Sequence, residues 1–446
     1  MTPSARIAAA IDLLAALEEQ CFAPNARRRP ADAVASDFFR ARRFIGGGDR
    51  RAVSELAWGV VRQRLRLDWH LARIGMAPTP RLLVLAQMVL AAGADDHGRT
   101  RQAAEAAFDG SRYGPAALDA GERRAAASLA GRPLIDAAMP DHARLNLPEW
   151  VMPAFAARFG ARLPQEAAAL EAEAPLDLRA NLLRTTREAA ATMLAGEGLA
   201  TEPTPFSPWG LRLPSRRPVT GTKAYKDGLI EVQDEGSQLI ALLADARPGM
   251  RVADYCAGAA GKTLAMAATM GNRGRITACD TSAPRLEGAA KRLRRAGVDN
   301  AERHLLVPGD RWAKRRAGSF DRVLVDAPCT GTGTWRRNPD ARLRTRPEDL
   351  AELVAVQHEI LATASELVRP GGRLVYATCS LLLQENEEQM ERFLARDPRF
   401  RPVPLDGLWA ALMPGAAAPC AGPWLALSPG AQGTDGFFCA VLERAT

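Results

Sequence analysis

From about Gly228 onward the chain alternates short β-prone runs with helical stretches, and that order leaves few folds open. Arg251–Tyr255, Arg275–Cys279, His304–Val307, Arg322–Val325 and Arg373–Ala377 read as strands. Lys262–Thr269, Pro284–Ala296, Pro347–Val368 and Glu385–Ala395 read as the helices between them. Alternation of this kind predicts a parallel sheet covered on both faces. Ligands of such sheets sit beyond the carboxyl ends of the strands. Every chemically distinctive stretch of this sequence falls at one of those ends.

The front of the chain reads differently. Ile7, Leu13, Leu14 and Leu17 recur at helical spacing, as do Leu56, Val60, Val61 and Leu65, and the run Leu82 to Val89 adds a further apolar helix. Ile45-Gly-Gly-Gly-Asp49 interrupts the pattern. Two isolated histidines, His70 and His97, read as ordinary residues. Arg40, Arg42, Arg43, Arg50, Arg51, Arg62, Arg64 and Arg66 cluster, either as solvated helix faces or as a surface for RNA. From Leu145 to about Tyr225 proline becomes frequent. A helical linker followed by a small mixed subdomain is expected there, with a strand over Leu178–Leu183 and a helix over Thr186–Gly196 started by a threonine cap.

Composition bounds the partners. Of 446 residues, 47% are apolar and 25% charged, which excludes a disordered, collagenous or disulfide-scaffold chain. A formal charge of +8 favours a polyanionic partner. No stretch of about 18 uncharged apolar residues is present, so no membrane span is expected. Asp12, Glu18 and Glu19 make the N-terminal apolar run an amphipathic helix and not a signal peptide. Seven cysteines form no CxxC pair, which argues against zinc ribbons and disulfide frameworks. No metal is expected, a reducing cytoplasm is the simplest home, and a monomer is the default.

The first strand runs into Asp254-Tyr-Cys-Ala-Gly-Ala-Ala-Gly-Lys-Thr263, where small residues let backbone approach a ligand ahead of a helix N-terminus. A phosphate-binding loop would need glycine where Cys256 stands, and the dinucleotide glycine pattern is absent. The second strand ends at Asp280, placed to accept ribose hydroxyls or to cap the following helix. The third reaches Gly309-Asp310, suited to an adenine or to a turn cap. The fourth ends in Asp326-Ala-Pro-Cys329-Thr-Gly-Thr-Gly-Thr-Trp-Arg-Arg-Asn-Pro-Asp340, and the fifth in Thr378-Cys379-Ser380. Two cysteines on neighbouring strand tips, beside Asp326 and Lys262, suit one chemistry in particular. Cytosine is inert at carbon 5 until a nucleophile adds at carbon 6. The addition needs a thiolate, an acid at ring nitrogen 3 and an electrophilic methyl donor nearby.

These residues resemble the catalytic domain of the Sun/Fmu-type RNA (cytosine-5) methyltransferases over 228–443. The likeness includes Val232-Gln-Asp-Glu235 with Ser237, Glu385-Asn386-Glu387 and Gly433-Thr-Asp-Gly-Phe-Phe438. Arg179-Ala-Asn181 resembles that family's pre-catalytic subdomain. Residues 33–70, notably Phe39 to Phe44 and Gly48-Asp-Arg-Arg51, resemble the NusB-like domain of its bacterial ribosomal-RNA branch. The resemblance implies an α/β chain with a Rossmann-like S-adenosylmethionine-dependent sheet. Its parts would be a NusB-like helical domain over 1–142, a linker and small α+β subdomain over 143–225, and the methyltransferase domain over 226–446. It implies Cys379 as nucleophile, Cys329 as the residue of product release and Asp326 as a further catalytic group. Cys256, Ala257, Gly258, Ala259, Ala260, Gly261, Lys262, Asp280, Asp310 and Asp326 would contact S-adenosylmethionine or the target base. The partner would be RNA, ribosomal by preference or transfer RNA. Where the family has Pro-Gly-Gly-Lys, this chain has Ala259-Ala260-Gly261-Lys262, so the turn is expected to differ slightly, because alanine does not take positive φ comfortably. A DNA cytosine-5 methyltransferase would attack with Cys329 and carry a large recognition insertion, which is missing. A non-catalytic RNA-binding factor would be expected to have lost Cys379, Cys329 or Asp326, and all three are present.

Overall fold

The structure, a computed structural model, describes residues 1–23, 26, 29–90, 97–215 and 217–446, with residues 97–100 described by backbone alone. The side chain of His97 therefore lies outside the described residues. The chain divides into two compact units. One comprises Met1–Glu171 with Arg337–Arg346, and the other Ala172–Arg336 with Pro347–Thr446. These limits differ from the sequence boundaries at 142 and 225: residues 143–171 group with the front helices, and 172–225 group with the large sheet.

In the first unit, α1 (Pro3–Leu17) starts where the Thr2 hydroxyl accepts Ala5 N at 3.2 Å. It is followed by α2 (Ala31–Ala41), α3 (Gly47–Arg73), α4 (Pro80–Leu90), α5 (His97–Ala107) and α6 (Ala120–Leu129). Asp119 and Glu122 close a reciprocal capping box on α6. The stripes read from sequence meet in one core, with Leu13, Leu14 and Leu17 against Val53, Val60, Leu67, Leu71 and Leu83. Each such side chain contributes roughly 1.5–3 kcal/mol through removal from water. Residues 337–346 are folded into this same unit. Asp340 Oδ2 accepts Ala31 N at 3.1 Å and so caps α2, which Pro30 cannot cap itself. Arg342, buried, donates to Asn146 O at 2.8 Å and Leu170 O at 3.3 Å.

The clustered arginines differ in their surroundings. Arg64 is held between Glu18 and Asp68, and Arg66 donates to Arg144 O and Glu171. Arg42 lies 3.9 Å from the Phe38 ring centroid, and Arg50 donates to Ile45 O at 2.8 Å. Arg43 and Arg51 are exposed. His70 is a core residue, with Nε2 3.1 Å from Leu134 O and a pKa pushed down by burial.

The second unit opens with a small antiparallel sheet in the order β2-β3-β1-β4. Its strands are β1 (Leu176–Ala180), β2 (Glu202–Pro203), β3 (Gly210–Leu213) and β4 (Ile230–Val232). Thr186 caps the helix Arg187–Gly196 that covers it, as expected. The β1 strand ends three residues early, because Asn181 turns to donate from Nδ2 to Gly228 O and Ala296 O at 2.7 and 2.8 Å.

The large sheet runs β10-β12-β9-β8-β5-β6-β7, with β11 (Leu425–Leu427) paired to β12. Its remaining strands are β5 (Arg251–Asp254), β6 (Arg275–Asp280), β7 (Ala301–Leu305), β8 (Phe320–Asp326), β9 (Val368–Thr378), β10 (Phe400–Pro402) and β12 (Phe437–Arg444). Two expectations need correction. The sheet is mixed, since β12 runs antiparallel to β9, with Phe438 opposite Thr378. The third strand lies at Ala301–Leu305, because the pairs from Ile276–Ala301 to Asp280–Leu305 fix its register against β6, and Leu306 and Val307, which suggested a later strand, lie in the loop beyond it. The central strands are buried on both faces, Val323, Leu324 and Val325 among them, as parallel strands under helices must be. Strand order reverses between β5 and β8, and the crevice above that point is where such a sheet takes a ligand.

Candidate active site

A cavity of about 980 Å³ opens beyond the ends of β5, β6, β8 and β9, the upper range for a small-molecule site. Cys256, Ala257, Gly258, Ala259, Gly261, Lys262, Asp280, Asp326, Cys329 and Cys379 line it together. Two expected residues do not. Asp310 turns away, with Oδ2 2.6 Å from His304 Nε2 and Oδ1 accepting Trp312 N at 2.8 Å. His304 stacks on Trp312 at 5.1 Å, so Asp310 caps a turn, and Leu306, Val307 and Pro308 supply this side of the cavity instead. Ala260 is wholly buried, its methyl packed with Leu264, Ala289 and Leu293.

The turn after β5 is tied down from several sides. Ala257 N donates to Cys279 O at 2.8 Å, and Gly258 N to Asp280 Oδ2 at 2.8 Å. Asp280 Oδ1 accepts Ser282 N at 2.7 Å, so this carboxylate both braces the turn and starts the next helix while still facing the cavity. The turn keeps its left-handed shape despite the alanines, for Ala260 sits at φ 62°, ψ 30°. Burial pushes the Cys256 thiol far up, leaving it an inert wall.

Asp254, at the tip of β5, is buried. Its Oδ2 accepts the Thr263 hydroxyl at 2.6 Å, and its Oδ1 has no partner among the described residues. Burial raises its pKa to about 6. Lys262 Nζ donates to Asp326 Oδ2 at 2.6 Å. Burial opposes the lysine charge, but Asp326 and then Asp254 outweigh it and hold its pKa above the ordinary value.

Parallel pairing of β8 with β9 brings Asp326 opposite Ala377, so the loops that follow carry Cys329 and Cys379 to one place. Their Sγ atoms lie 3.4 Å apart. The hydrogen bond to Cys379, with burial added, pushes Cys329 well above the thiol range. The two thiols thus share one hydrogen bond, which either sulfur can donate.

A buried polar lattice holds the two loops. Glu385 accepts Thr330 N and Gln357 Nε2, both at 2.9 Å, and the Thr330 hydroxyl at 2.5 Å. The Ser380 hydroxyl lies 3.3 and 3.2 Å from those of Thr330 and Thr332, and Gly333 N donates to Cys379 O at 3.0 Å. Gly333 and Gly436 touch backbone to backbone, Gly436 N donating to Gly333 O at 2.8 Å, and a Cβ on Gly333 would come within 2.1 Å of Gly436 O. Arg336 Nε donates to Asp435 at 2.6 Å, so the TGTGTWR and TDGFF stretches form one fastening. The cavity also uses Ser237, Tyr255, Arg285, Val356 and Ile360, which sequence reasoning did not assign. Val356 and Ile360, four apart on a helix and with Val356 41% exposed, were legible as an unexplained apolar pair.

The family model described as 16S rRNA methyltransferase RsmB/F matches residues 241–443, and its ferredoxin-like companion domain matches 147–220. The chain is 32% identical over 439 residues to a probable ribosomal RNA small subunit methyltransferase B of Synechocystis, covering 94% of this chain and 96% of that one. It is 32% identical over 368 residues to the ribosomal RNA small subunit methyltransferase B of Pseudomonas putida, covering 80% and 84%. The solved structure of PH0851 shares the fold along the whole chain, with a TM-score of 0.75, 23% identity and coverage of 100% and 99%. A methyltransferase homolog from Pyrococcus horikoshii is 27% identical with a TM-score of 0.59, covering 68% of this chain and 97% of that one. Among the described residues no group of His, Cys, Asp and Glu is placed to hold a metal, and no helix is long and apolar enough to cross a membrane.

Proposed function

The chain belongs to the 16S rRNA methyltransferase RsmB/F family, and from that premise we propose that it transfers a methyl group from S-adenosylmethionine to carbon 5 of a cytosine in small-subunit ribosomal RNA, through a covalent bond to Cys379. The observation that carries the reaction type is the pair of thiols 3.4 Å apart in a cavity shared with Asp326 and Lys262.

The cavity residues fit the cofactor. Asp254 Oδ1, buried and unpartnered among the described residues, suits an ammonium group. Asp280 retains free lone pairs for ribose hydroxyls, and the first amides of the helix Gly261–Thr269 suit a carboxylate. When bound, S-adenosylmethionine supplies an electrophilic methyl group on a sulfonium. The protein does the rest. Cys379 adds through Sγ to carbon 6 of cytosine, and the displaced π electrons are accepted as a proton reaches ring nitrogen 3 from the Lys262–Asp326 pair. Carbon 5 then takes the methyl group as its bond to sulfur breaks, which would leave the neutral thioether behind. A base must next remove the carbon 5 proton, so that the electrons re-form the carbon 5–carbon 6 double bond and expel the Cys379 thiolate, and ring nitrogen 3 returns its proton to the Lys262–Asp326 pair.

Cys329 is suited to that last step because its environment changes when the step is due. The largest influence raising its pKa is the hydrogen bond to Cys379. Once Cys379 is bonded to carbon, that influence is gone, and Cys329 ionises more easily at the moment a base is needed. The DNA-type reading, in which Cys329 attacks, fits less well, since the bond to Cys379 and burial raise the Cys329 pKa well above the thiol range. Tritiated S-adenosylmethionine supplied with small-subunit ribosomal RNA, transfer RNA or DNA tests the substrate class. Label in 5-methylcytosine of ribosomal RNA alone is the expected result, and label in DNA or in another base overturns the reading.

A further inference from the structure

The turn that faces the cofactor is kept in a shape its sequence does not favour. Ala260 holds φ 62° with its side chain wholly buried, a conformation that glycine adopts far more readily than alanine. Three successive carbonyls around it are pinned. Arg292 Nη1 donates to Ala259 O at 2.8 Å, Leu264 N to Ala260 O at 2.9 Å, and Arg179 Nη1 to Gly261 O at 3.0 Å. Because a peptide plane is rigid, fixing a carbonyl also aims the next amide N–H.

Neither arginine is free to leave. Arg292, on the helix Ala283–Ala296, also bridges Glu231 of β4 at 3.0 Å. Arg179, on β1, donates to Gln233 Oε1 at 2.7 Å, and its Nε has no partner among the described residues. A buried guanidinium that makes no carboxylate bridge is a costly thing to keep beside a cavity. Its two bonds go to a glutamine and to the turn.

We propose that Arg292 and Arg179 are positioning residues that hold the Ala259–Gly261 turn left-handed for the cofactor, in place of the glycine this chain lacks at 260. The proposal rests on the reading of the cavity as the S-adenosylmethionine site. Without the clamp, an alanine at 260 relaxes toward right-handed backbone, and affinity falls in proportion to the fraction of chains still in the competent turn. With glycine at 260 the turn needs no clamp.

S-adenosylhomocysteine binding to the full chain, measured by isothermal titration calorimetry, tests this without turnover. Arg292→Ala is expected to weaken binding about tenfold in the natural background and less than threefold in an Ala260→Gly background, while Ala260→Gly alone stays within twofold. Arg292→Lys recovers part of the loss. Arg295→Ala, which removes the other partner of Glu231 but touches no carbonyl of the turn, leaves affinity within twofold. Arg179→Lys follows the pattern of Arg292→Ala. An equal loss from Arg292→Ala in both backgrounds, or none in either, overturns the proposal. Asp280→Ala separates the two levels. If it leaves binding intact, the reading of the cavity fails. If it weakens binding while Arg292→Ala does not, only the clamp fails.

Discussion

Cys329 Sγ lies 3.4 Å from Cys379 Sγ, and the two belong to loops that leave neighbouring parallel strands. In the proposed mechanism Cys379 is the attacking group, so removing it takes away the nucleophile and leaves the cofactor side of the cavity in place. Cys379→Ala is expected to abolish methyl transfer and to keep S-adenosylhomocysteine affinity within about threefold of the parent, an energy change under about 0.7 kcal/mol. Single-turnover assays beside calorimetry check both halves. Appreciable turnover would reassign the nucleophile.

Cys329→Ala should behave in the opposite way. Attack and methyl transfer proceed, but proton removal from carbon 5 fails, and protein remains bonded to RNA. A slow band surviving denaturing electrophoresis is expected when RNA and S-adenosylmethionine are both present. The double change Cys329→Ala with Cys379→Ala should show none. If Cys329 only packed the turn after Pro328, no adduct would form and stability alone would fall.

The lattice beneath the thiols is predicted to be the most sensitive structural point of the site. Glu385→Ala orphans the buried Thr330 N and removes one of two partners from the Thr330 hydroxyl, which keeps Ser380, and from Gln357 Nε2, which keeps Pro328 O. An orphaned buried group costs about 1–3 kcal/mol, so a loss of about 1–3 kcal/mol is expected. Glu385→Gln keeps the shape and loses less. Urea unfolding with an unchanged slope gives the comparison, and a loss below about 1 kcal/mol for the alanine would contradict the assigned role.

The site was largely readable because its chemistry sits at strand ends, where motif order and strand order coincide. Asp280, Asp326, Cys329 and Cys379 needed only the β–α alternation to be placed around one crevice. Asp310 had two readings because a strand-end acid looks the same whether it faces a ligand or caps a turn, and His304, six residues earlier, favours the cap through space. The β12 strand escaped the alternation because an antiparallel strand needs no helical crossover before it. Residues 337–346 were unreadable for a different reason. They continue a catalytic motif in sequence, yet Asp340 and Arg342 find partners at Ala31, Asn146 and Leu170, which no local pattern announces.

Asp254 should impose a pH signature on stability. Its pKa is raised to about 6 in the folded protein from an ordinary 3.8, because burial disfavours the carboxylate. An acid raised on folding favours the native state in its protonated form, so its unfavourable contribution grows as pH climbs from about 4 to about 6 and is constant above. The linkage amounts to about 2 kcal/mol between pH 4.5 and 7.5. Asp254→Asn is therefore expected to gain about 2 kcal/mol on the parent between pH 4.5 and 7.5, read from urea midpoints in cofactor-free protein. A pH-independent difference would show that the carboxyl is not held neutral.

Only some arginines of the helical unit are able to meet RNA, and their surroundings dictate which variants can ask. Deleting the front helices would strip Arg342 and Asp340 of their partners, so a truncation would mix unfolding with weaker RNA affinity. Arg64 and Arg66 are equally unsuitable, since they tie α3 to Glu18 and Glu171. Arg43 and Arg51 remain, both exposed, and Phe44, next to Arg43 in sequence, is 75% exposed. Exposed guanidinium groups suit phosphates, and an open aromatic ring suits an unstacked base. Arg43→Ala with Arg51→Ala is expected to leave melting unchanged and to weaken binding of the full chain to a labelled single-stranded RNA. The slope of log affinity against log salt should fall by about 1.4, or about 0.7 for each phosphate no longer neutralised. Adding Phe44→Ala should weaken binding further without altering the slope, because stacking releases no counterions. A slope unchanged by the two arginine substitutions would mean that Arg43 and Arg51 do not touch RNA.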